Sequence, residues 1–295
     1  MQNVLEINPA QSSKIQWSTI FGVAVFHILA LWALFTFSWQ NLTAFLILWW
    51  IAGSFGIGLG YHRLLTHRGF KTPRWLEYFL TICGTLAMQS GAISWVTTHR
   101  LHHAFTETEK DPHNITQGVY WAHIGWIFRG TAQMQSEAVM KRYAPDMMRD
   151  KVHRFLNKYY WVTSLLVGLA LFAIGGWSMV LWGIFLRTVV GWHSTWLVNS
   201  VTHKWGSRRF ESRDNSTNNG LVAALTFGEG WHNNHHAFPR SARHGLTWKE
   251  VDPNWMQIWL LEKVGLAKDV YAYQLEKPEP METSEPMEEA LQEAA

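Results

Sequence analysis

From Trp17 to Tyr61 the chain reads WSTIFGVAVFHILALWALFTFSWQNLTAFLILWWIAGSFGIGLGY, without one Asp, Glu, Lys or Arg. A bilayer crossing takes about 20 apolar residues, so this run holds two, with a break near Gln40-Asn41. A second apolar run, Tyr159–Thr202, carries one charge, Arg187, and holds two more, turning near Gly175-Gly176. Trp17, Trp39, Trp177, Trp196 and Trp205 fall near the ends of these spans, where amphipathic rings anchor at the interface. The expected fold is therefore all-α and integral to the membrane, with four transmembrane helices in two hairpins.

The rest of the composition agrees. Of 295 residues, 19 are Trp, 16 Phe and 15 His, and only 16% are charged. Mean hydropathy is −0.08, near zero because Trp and His score as polar and the charges are confined to certain stretches. Cys83, the only cysteine, excludes an intramolecular disulfide framework and a cysteine-rich metal site. The net charge of +3 points to no nucleic-acid partner. The N-terminus lacks a basic region and an obvious cleavage site, so its apolar stretch reads as a retained span.

Topology follows from Lys and Arg. Neither hairpin turn carries one, whereas they are dense between Tyr61 and Lys158 and again after Val201. The positive-inside rule places both regions in the cytoplasm. The expected organisation is a cytoplasmic tail (1–16), a first hairpin (17–61), a cytoplasmic or in-plane helical segment (62–158), a second hairpin (159–203), a cytoplasmic part (204–275) and a disordered acidic tail (276–295) with seven Glu. Tyr78–Thr98 is uncharged and long enough to cross, but crossing would put Arg63–Arg74 and Arg100 on opposite sides. An in-plane or re-entrant helix is expected there. Ser212–Asn219 reads as a polar linker.

Three histidine clusters carry the chemistry: His62-Arg-Leu-Leu-Thr-His67, His99-Arg-Leu-His102-His103 and His232-Asn-Asn-His235-His236. In the last two, spacing i, i+3, i+4 puts three imidazoles on one helix face. The i, i+5 spacing of the first shares no face of a regular helix, so the helix must end or loosen there. Imidazole suits Fe, Zn, Cu or Ni. Eight such side chains are too many for one ion, and a ninth would make two complete sets. One such cluster alone is weak; three on one membrane face are strong, against the alternative of scattered surface histidines. A two-metal site beside a bilayer has substrates embedded in that bilayer. Given iron, O2 and two electrons, it can break an unactivated C–H bond, which redox-inert zinc cannot.

The three boxes, in this order and topology, resemble the membrane fatty acid desaturases. The forms HRxxxH, HRxHH and HNxHH are similar to the Δ9 branch, which includes stearoyl-CoA and bacterial acyl-lipid enzymes. The resemblance runs from about Phe21 to Val270 and includes Asp111-Pro-His113, Asn199-Ser-Val-Thr-His203 and Ser241-Ala-Arg-His-Gly245. It implies two Fe ions with O2 as co-substrate. It makes His203 the ninth ligand. One iron would take His62, His67, His99 and His235, with Asn199 acting through water; the other would take His102, His103, His203, His232 and His236. It also places Trp95 beside the acyl chain. No cytochrome b5 signature is present, so the electron donor is expected to be a separate protein such as ferredoxin or cytochrome b5. Where animal acyl-CoA members have Arg-Asp before the second box, this chain has Thr97-Thr98. That favours an acyl group on a glycerolipid over acyl-CoA.

Other residues stay open between two readings. His27 and His193 lie within spans, where an ionisable group is either functional or a satisfied packing residue. Arg187 needs a partner or a route to the interface. His113, His123, His153 and His244 read as supporting or structural. Glu229 either bonds a ligand imidazole or is solvated. Two rivals to the desaturase remain. One is a membrane di-iron alkane or lipid hydroxylase, and the other a histidine-rich metal transporter or sensor, whose ligands should lie near the bilayer midplane.

Overall fold

The computed structural model describes residues 14–129 and 136–275. The acidic tail (276–295) and most of the N-terminal tail lie outside the described residues. Every regular element among them is helical, and β-type contacts are limited to isolated bridges.

Helix α1 spans Trp17–Ala33 and α2 spans Trp39–Thr66. The turn between them is built by polar side chains. Ser38 caps α2 by accepting from the Asn41 N–H, and the Asn41 side chain donates to Thr36 O at 2.8 Å. From Ile51 to Thr66, α2 winds in wide π-type turns. Helices α3 (Arg74–Thr85) and α4 (Ala92–Phe105) follow, then short helical turns, then α5 (Lys151–Lys158). Helix α6, Tyr160–Ser200, is 41 residues long but breaks at Gly176, where φ +67° and ψ −162° suit only glycine. Its two halves pack on each other through Leu171, Met179, Val180 and Ile184. Beyond lie α7 (His232–Ala237) and α8 (Pro253–Lys263).

Two helices, α2 and α6, are long and apolar enough to cross a membrane, and α1 is a shorter apolar helix. The second half of α6 lies between α1 and α2: Leu181 and Trp182 pack with Ala33 and Leu29 on one side and Leu42 and Phe45 on the other. Phe21, Leu31, Phe35, Leu46, Leu166 and Ile174 face outward and form an apolar surface around these rods.

The π-wound half of α2 is the centre of the remainder. Ala52, Ile57 and Leu59 share one core with Leu76 and Leu80 of α3, Ile93 and Val96 of α4 and Ile258 of α8. Glycines allow the approach to α3: a Cβ on Gly56 would lie 2.6 Å from Cys83 O. Tyr78–Thr98 is not one rod. Helix α3 ends at Thr85, Met88 and Ser90 take left-handed φ of 54° and 76°, and α4 starts at Ala92.

Ser212–Asn219 is a folded brace and not a loose linker. Its polar groups are satisfied by defined partners: Asn215 Nδ2 donates to Glu107 Oε2, Asn218 Nδ2 to Asn234 Oδ1 at 2.9 Å, and His236 to Asp214.

Candidate di-metal site

The π-type winding resolves the awkward spacing of the first box. His67 N–H donates to His62 O at 3.1 Å, an i to i+5 bond. Residues five apart then share a face, and the two rings stand 4.8 Å apart. Helix α4 presents His99, His102 and His103, and α7 presents His232, His235 and His236. His203 lies just past the end of α6.

All nine histidines converge, in two groups. In the first, one ligand atom each from His62, His67, His99, His103 and His235 lies within 4.8 Å of all the others; in the second, from His102, His203, His232 and His236. Four of these memberships of the first group follow the sequence expectation. His103 is the exception, because the structure sets it with the first group, 3.2 Å from His99 Nε2 and 3.0 Å from His235 Nε2. Its ring also stands 4.6 Å from that of His236, so it occupies the seam.

Carboxylates fix the outward nitrogens of four of the nine. His62 Nδ1 donates to Glu229 Oε2 at 2.5 Å, His102 Nδ1 to Asp111 Oδ1 at 3.0 Å, His203 Nδ1 to Glu107 Oε1 at 3.3 Å and His236 Nδ1 to Asp214 Oδ2 at 2.6 Å. With the proton on Nδ1, each Nε2 carries a lone pair turned inward. The inward atoms have no good partner within the protein. His67 Nε2, His102 Nε2 and His236 Nε2 are buried and unbonded. His62 Nε2 faces His235 Nε2 at 3.1 Å, and His203 Nε2 faces His232 Nε2 at 3.0 Å. Opposed lone pairs are what a cation relieves, so this donor set fits two metal ions. Burial, then neighbouring histidines, hold His67, His99, His102, His103, His232 and His235 well below the ordinary histidine value. They are neutral near pH 7, as ligation requires.

Glu229 is no solvated side chain. It is buried and also accepts from Arg63 Nε at 3.0 Å and Asn254 Nδ2 at 2.6 Å, while Arg63 Nη2 stands 2.9 Å from Asp252 Oδ1. Glu107 and Asp214 carry no signal in the sequence. Asp111 stands out there only within Asp111-Pro-His113, with no role attached to it.

A largely apolar cavity opens onto His62, His99 and His232. Trp95 and Asn199 line it, and Trp95 stands 5.1 Å from the His99 ring. Trp95 Nε1 donates to Gln89 Oε1 at 3.1 Å, and Gln89 Nε2 to Thr195 Oγ1 at 2.8 Å, which fixes the indole across the cavity. Arg187 also lines it and does not reach the interface: it is buried, and it donates to Leu86 O at 2.5 Å and Gly183 O at 3.1 Å.

The sequence profile described as "Fatty acid desaturase" matches residues 37–255. The chain is 50% identical over 269 residues to an sn-1 stearoyl-lipid 9-desaturase of Anabaena variabilis, covering 90% of this chain and 97% of that protein. It is 45% identical over 260 residues to an sn-2 palmitoyl-lipid 9-desaturase of Nostoc sp. (strain 36), covering 88% and 91%. It is also 44% identical over 253 residues to an acyl-CoA C20 Delta5-desaturase of Anemone leveillei, covering 85% and 80%.

Proposed function

The chain belongs to the fatty acid desaturase family, oxidoreductases, and on that premise we propose that it inserts a cis Δ9 double bond into a saturated acyl chain on a membrane glycerolipid. The observation that carries this reading is the pair of inward-facing histidine groups beside an apolar cavity. The overall change is R–CH2–CH2–R′ + O2 + two electrons + two protons to R–CH=CH–R′ + two H2O.

Two iron ions, when bound, supply the O2 chemistry that breaks the C–H bonds. His62, His67, His99 and His235 would hold one, with Asn199 through water. His102, His203, His232 and His236 would hold the other, and His103, grouped with the first set, stands at the seam between the two. The protein's own part is orientation. Carboxylates lock the rings, and the Trp95–Gln89–Thr195 bonds set the cavity wall against which the target carbons rest. The histidines act as ligands and not as general acids or bases.

The acyl carrier is inferred from two observations. Relatives named for lipid substrates reach 50% identity, against 44% for one named for acyl-CoA. Thr97 and Thr98 are buried and uncharged, so they bring no positive charge to the phosphates of CoA. The apolar rods would cross the bilayer four times, leaving the histidine groups on the cytoplasmic face, where a separate ferredoxin or cytochrome b5 would deliver electrons.

The test is mass spectrometry of fatty acids from a bacterial host expressing the protein, with double bonds located by derivatisation and His99→Ala as control. New cis-Δ9 acids on glycerolipids, absent in the control, support the reading. Hydroxylated acids would move it to the hydroxylase.

A further inference from the structure

The two histidine groups differ in what lies behind them. The apolar cavity reaches His62 and His99 of the first group but only His232 of the second. The carboxylate behind the first group, Glu229, is buried and held by Arg63 and Asn254. Behind the second group, Asp111 is buried, but Glu107 and Asp214 are only partly so. Both are held by the segment that follows α6. The exposed Asn215 donates its backbone N–H to Glu107 Oε1 at 2.8 Å, the same oxygen that accepts from His203. Asp214 accepts from His236, and its carbonyl oxygen accepts from Nη2 of the exposed Arg208 at 3.0 Å. The second group thus meets the protein surface one residue beyond its carboxylates, whereas the first meets the cavity.

That surface is basic. Residues 204–215 hold Lys204, Arg208, Arg209 and Arg213 against Glu211 and Asp214, and Asp214 is turned inward onto His236. Aromatic rings join this segment to the stretch beyond the third histidine box. Phe210 packs on Phe238 at 5.0 Å, and Phe238 stacks on Tyr273 at 3.5 Å. Arg240, two residues past Phe238, is exposed with its guanidinium over the Tyr271 ring. Arg209 is neutralised by Glu250 at 2.7 Å. Arg208 meets only Ser212 and the Asp214 carbonyl, and neither Arg213 nor Arg240 meets a carboxylate among the described residues. Like charges gathered in this way repel one another and add nothing to the fold. What they provide is long-range attraction for an acidic protein.

We propose that the face carrying Arg208, Arg213 and Arg240 docks an acidic one-electron carrier protein, whose electrons enter on the side of the second histidine group. The proposal rests on the desaturase reading in one respect: each double bond consumes two electrons. Two reduced carriers give up one electron each, while R–CH2–CH2–R′ + O2 + two protons become R–CH=CH–R′ + two H2O. Guanidinium groups suit the task, because each can take a carboxylate of the carrier on two parallel N–H bonds. The half-buried rings of Phe210, Phe238 and Tyr273 give the face an apolar centre between its charges, the usual build of a protein interface. Entry behind the second group leaves the cavity side to the acyl chain. Carrier and lipid then occupy different faces of the site and can be bound together.

The experiment measures binding of an acidic [2Fe–2S] ferredoxin to the full, iron-loaded chain in phosphatidylcholine nanodiscs. Wild type is compared with the double variant Arg213→Glu, Arg240→Glu, and iron content and melting temperature serve as controls of the fold. The dissociation constant should rise about tenfold or more at low salt. The difference should shrink as salt is raised to about 0.5 M, where exposed charges are screened. In turnover, the same variant should raise the KM for ferredoxin and leave the rate at saturating ferredoxin in place. Equal affinity in both proteins would overturn the proposal. So would an equal loss of affinity for a basic cytochrome c, which would mark a general disturbance and not a charge match. A loss seen only in anionic phosphatidylglycerol nanodiscs would make the face a lipid surface and overturn it as well. The same holds for a difference that vanishes when residues 276–295 are deleted, since the acidic segment would then be the occupant. If the double variant fails to fold, Arg213→Gln alone should weaken binding several-fold. Binding needs no turnover, so its outcome is read separately from that of the Δ9 assignment.

Discussion

At the residue scale, Glu229 ties the site to the body of the protein. It meets His62, Arg63 and Asn254 by hydrogen bonds, and His244 Nδ1 lies 3.3 Å away. Burial alone would raise its carboxyl, but Arg63, His62 and His244 outweigh burial and hold it well below the carboxylate range. A depressed carboxyl stabilises the fold above its ordinary value and ceases to do so as pH falls through the folded one. Glu229→Gln leaves Arg63 with Asp252 as its one carboxylate and removes the charge that orients His62. Iron affinity and turnover should fall about 10- to 100-fold, measured by metal content and product formation. The buried histidines of the site give a second expectation. Burial depresses them, and it takes His244 down to about 4. Unfolded histidine titrates near 6.5, so below that pH the unfolded chain binds more protons and stability drops. Iron-free protein should melt at a lower temperature at pH 5.5 than at 7.5, with no such slope if the rings were already charged in the fold. The histidine clusters were legible because spacing i, i+3, i+4 lines up three imidazoles on one helix face, which neither packing nor solvation requires. Their carboxylate partners were not, since Glu107 and His203 are 96 positions apart and no local pattern joins them.

At the element scale, the spacing of the first box required a loosened helix, and the structure supplies one over Ile51–Thr66. The need was readable from two histidines; the sixteen-residue extent was not, because it depends on how α2 beds against α3. Gly56 and Gly60 face α3, where an added Cβ would come 2.5 Å from Gly84 N and 2.9 Å from Leu80 O respectively. Both obstacles are backbone and cannot turn aside. Gly56→Ala must therefore push the two helices apart at a cost of about 1–3 kcal/mol. The same shift moves His62 and His67, so lowered thermal stability should come with reduced iron content. A stable variant with full iron would show that the glycines serve flexibility and not approach. The folded brace at residues 212–219 makes the complementary point: its composition resembles a linker, but its side chains find partners only once α7 and Glu107 are in place.

At the scale of the whole molecule, charge-free runs and histidine spacing together disclose an all-helical protein with buried histidine clusters that fit a two-metal site, because both signals are local. The cavity is a different matter. It is bounded by α2, α4, α6 and the segment 225–229, and only packing sets its length. Helix α6 gives a ruler along it. Arg187, Gly191, Ser194, Val198 and Asn199 recur at helical spacing and line one side. Asn199 stands at the metal end, and Gly191 lies eight residues earlier, ~12 Å along the axis at 1.5 Å per residue. A Cβ on Gly191 meets nothing within 4 Å, so a side chain there enters open space and displaces no protein atoms. Gly191→Phe should fill the part of the cavity that receives the acyl chain beyond the new double bond. Long saturated chains should then be excluded while shorter ones are still converted. The double bond should stay at the same carbon, because the histidine groups and Trp95 are untouched. Product chain length and bond position, read together from the same fatty acid profile, check both halves. An unchanged profile, or a bond moved along the chain, would mean that the acyl group does not run along α6.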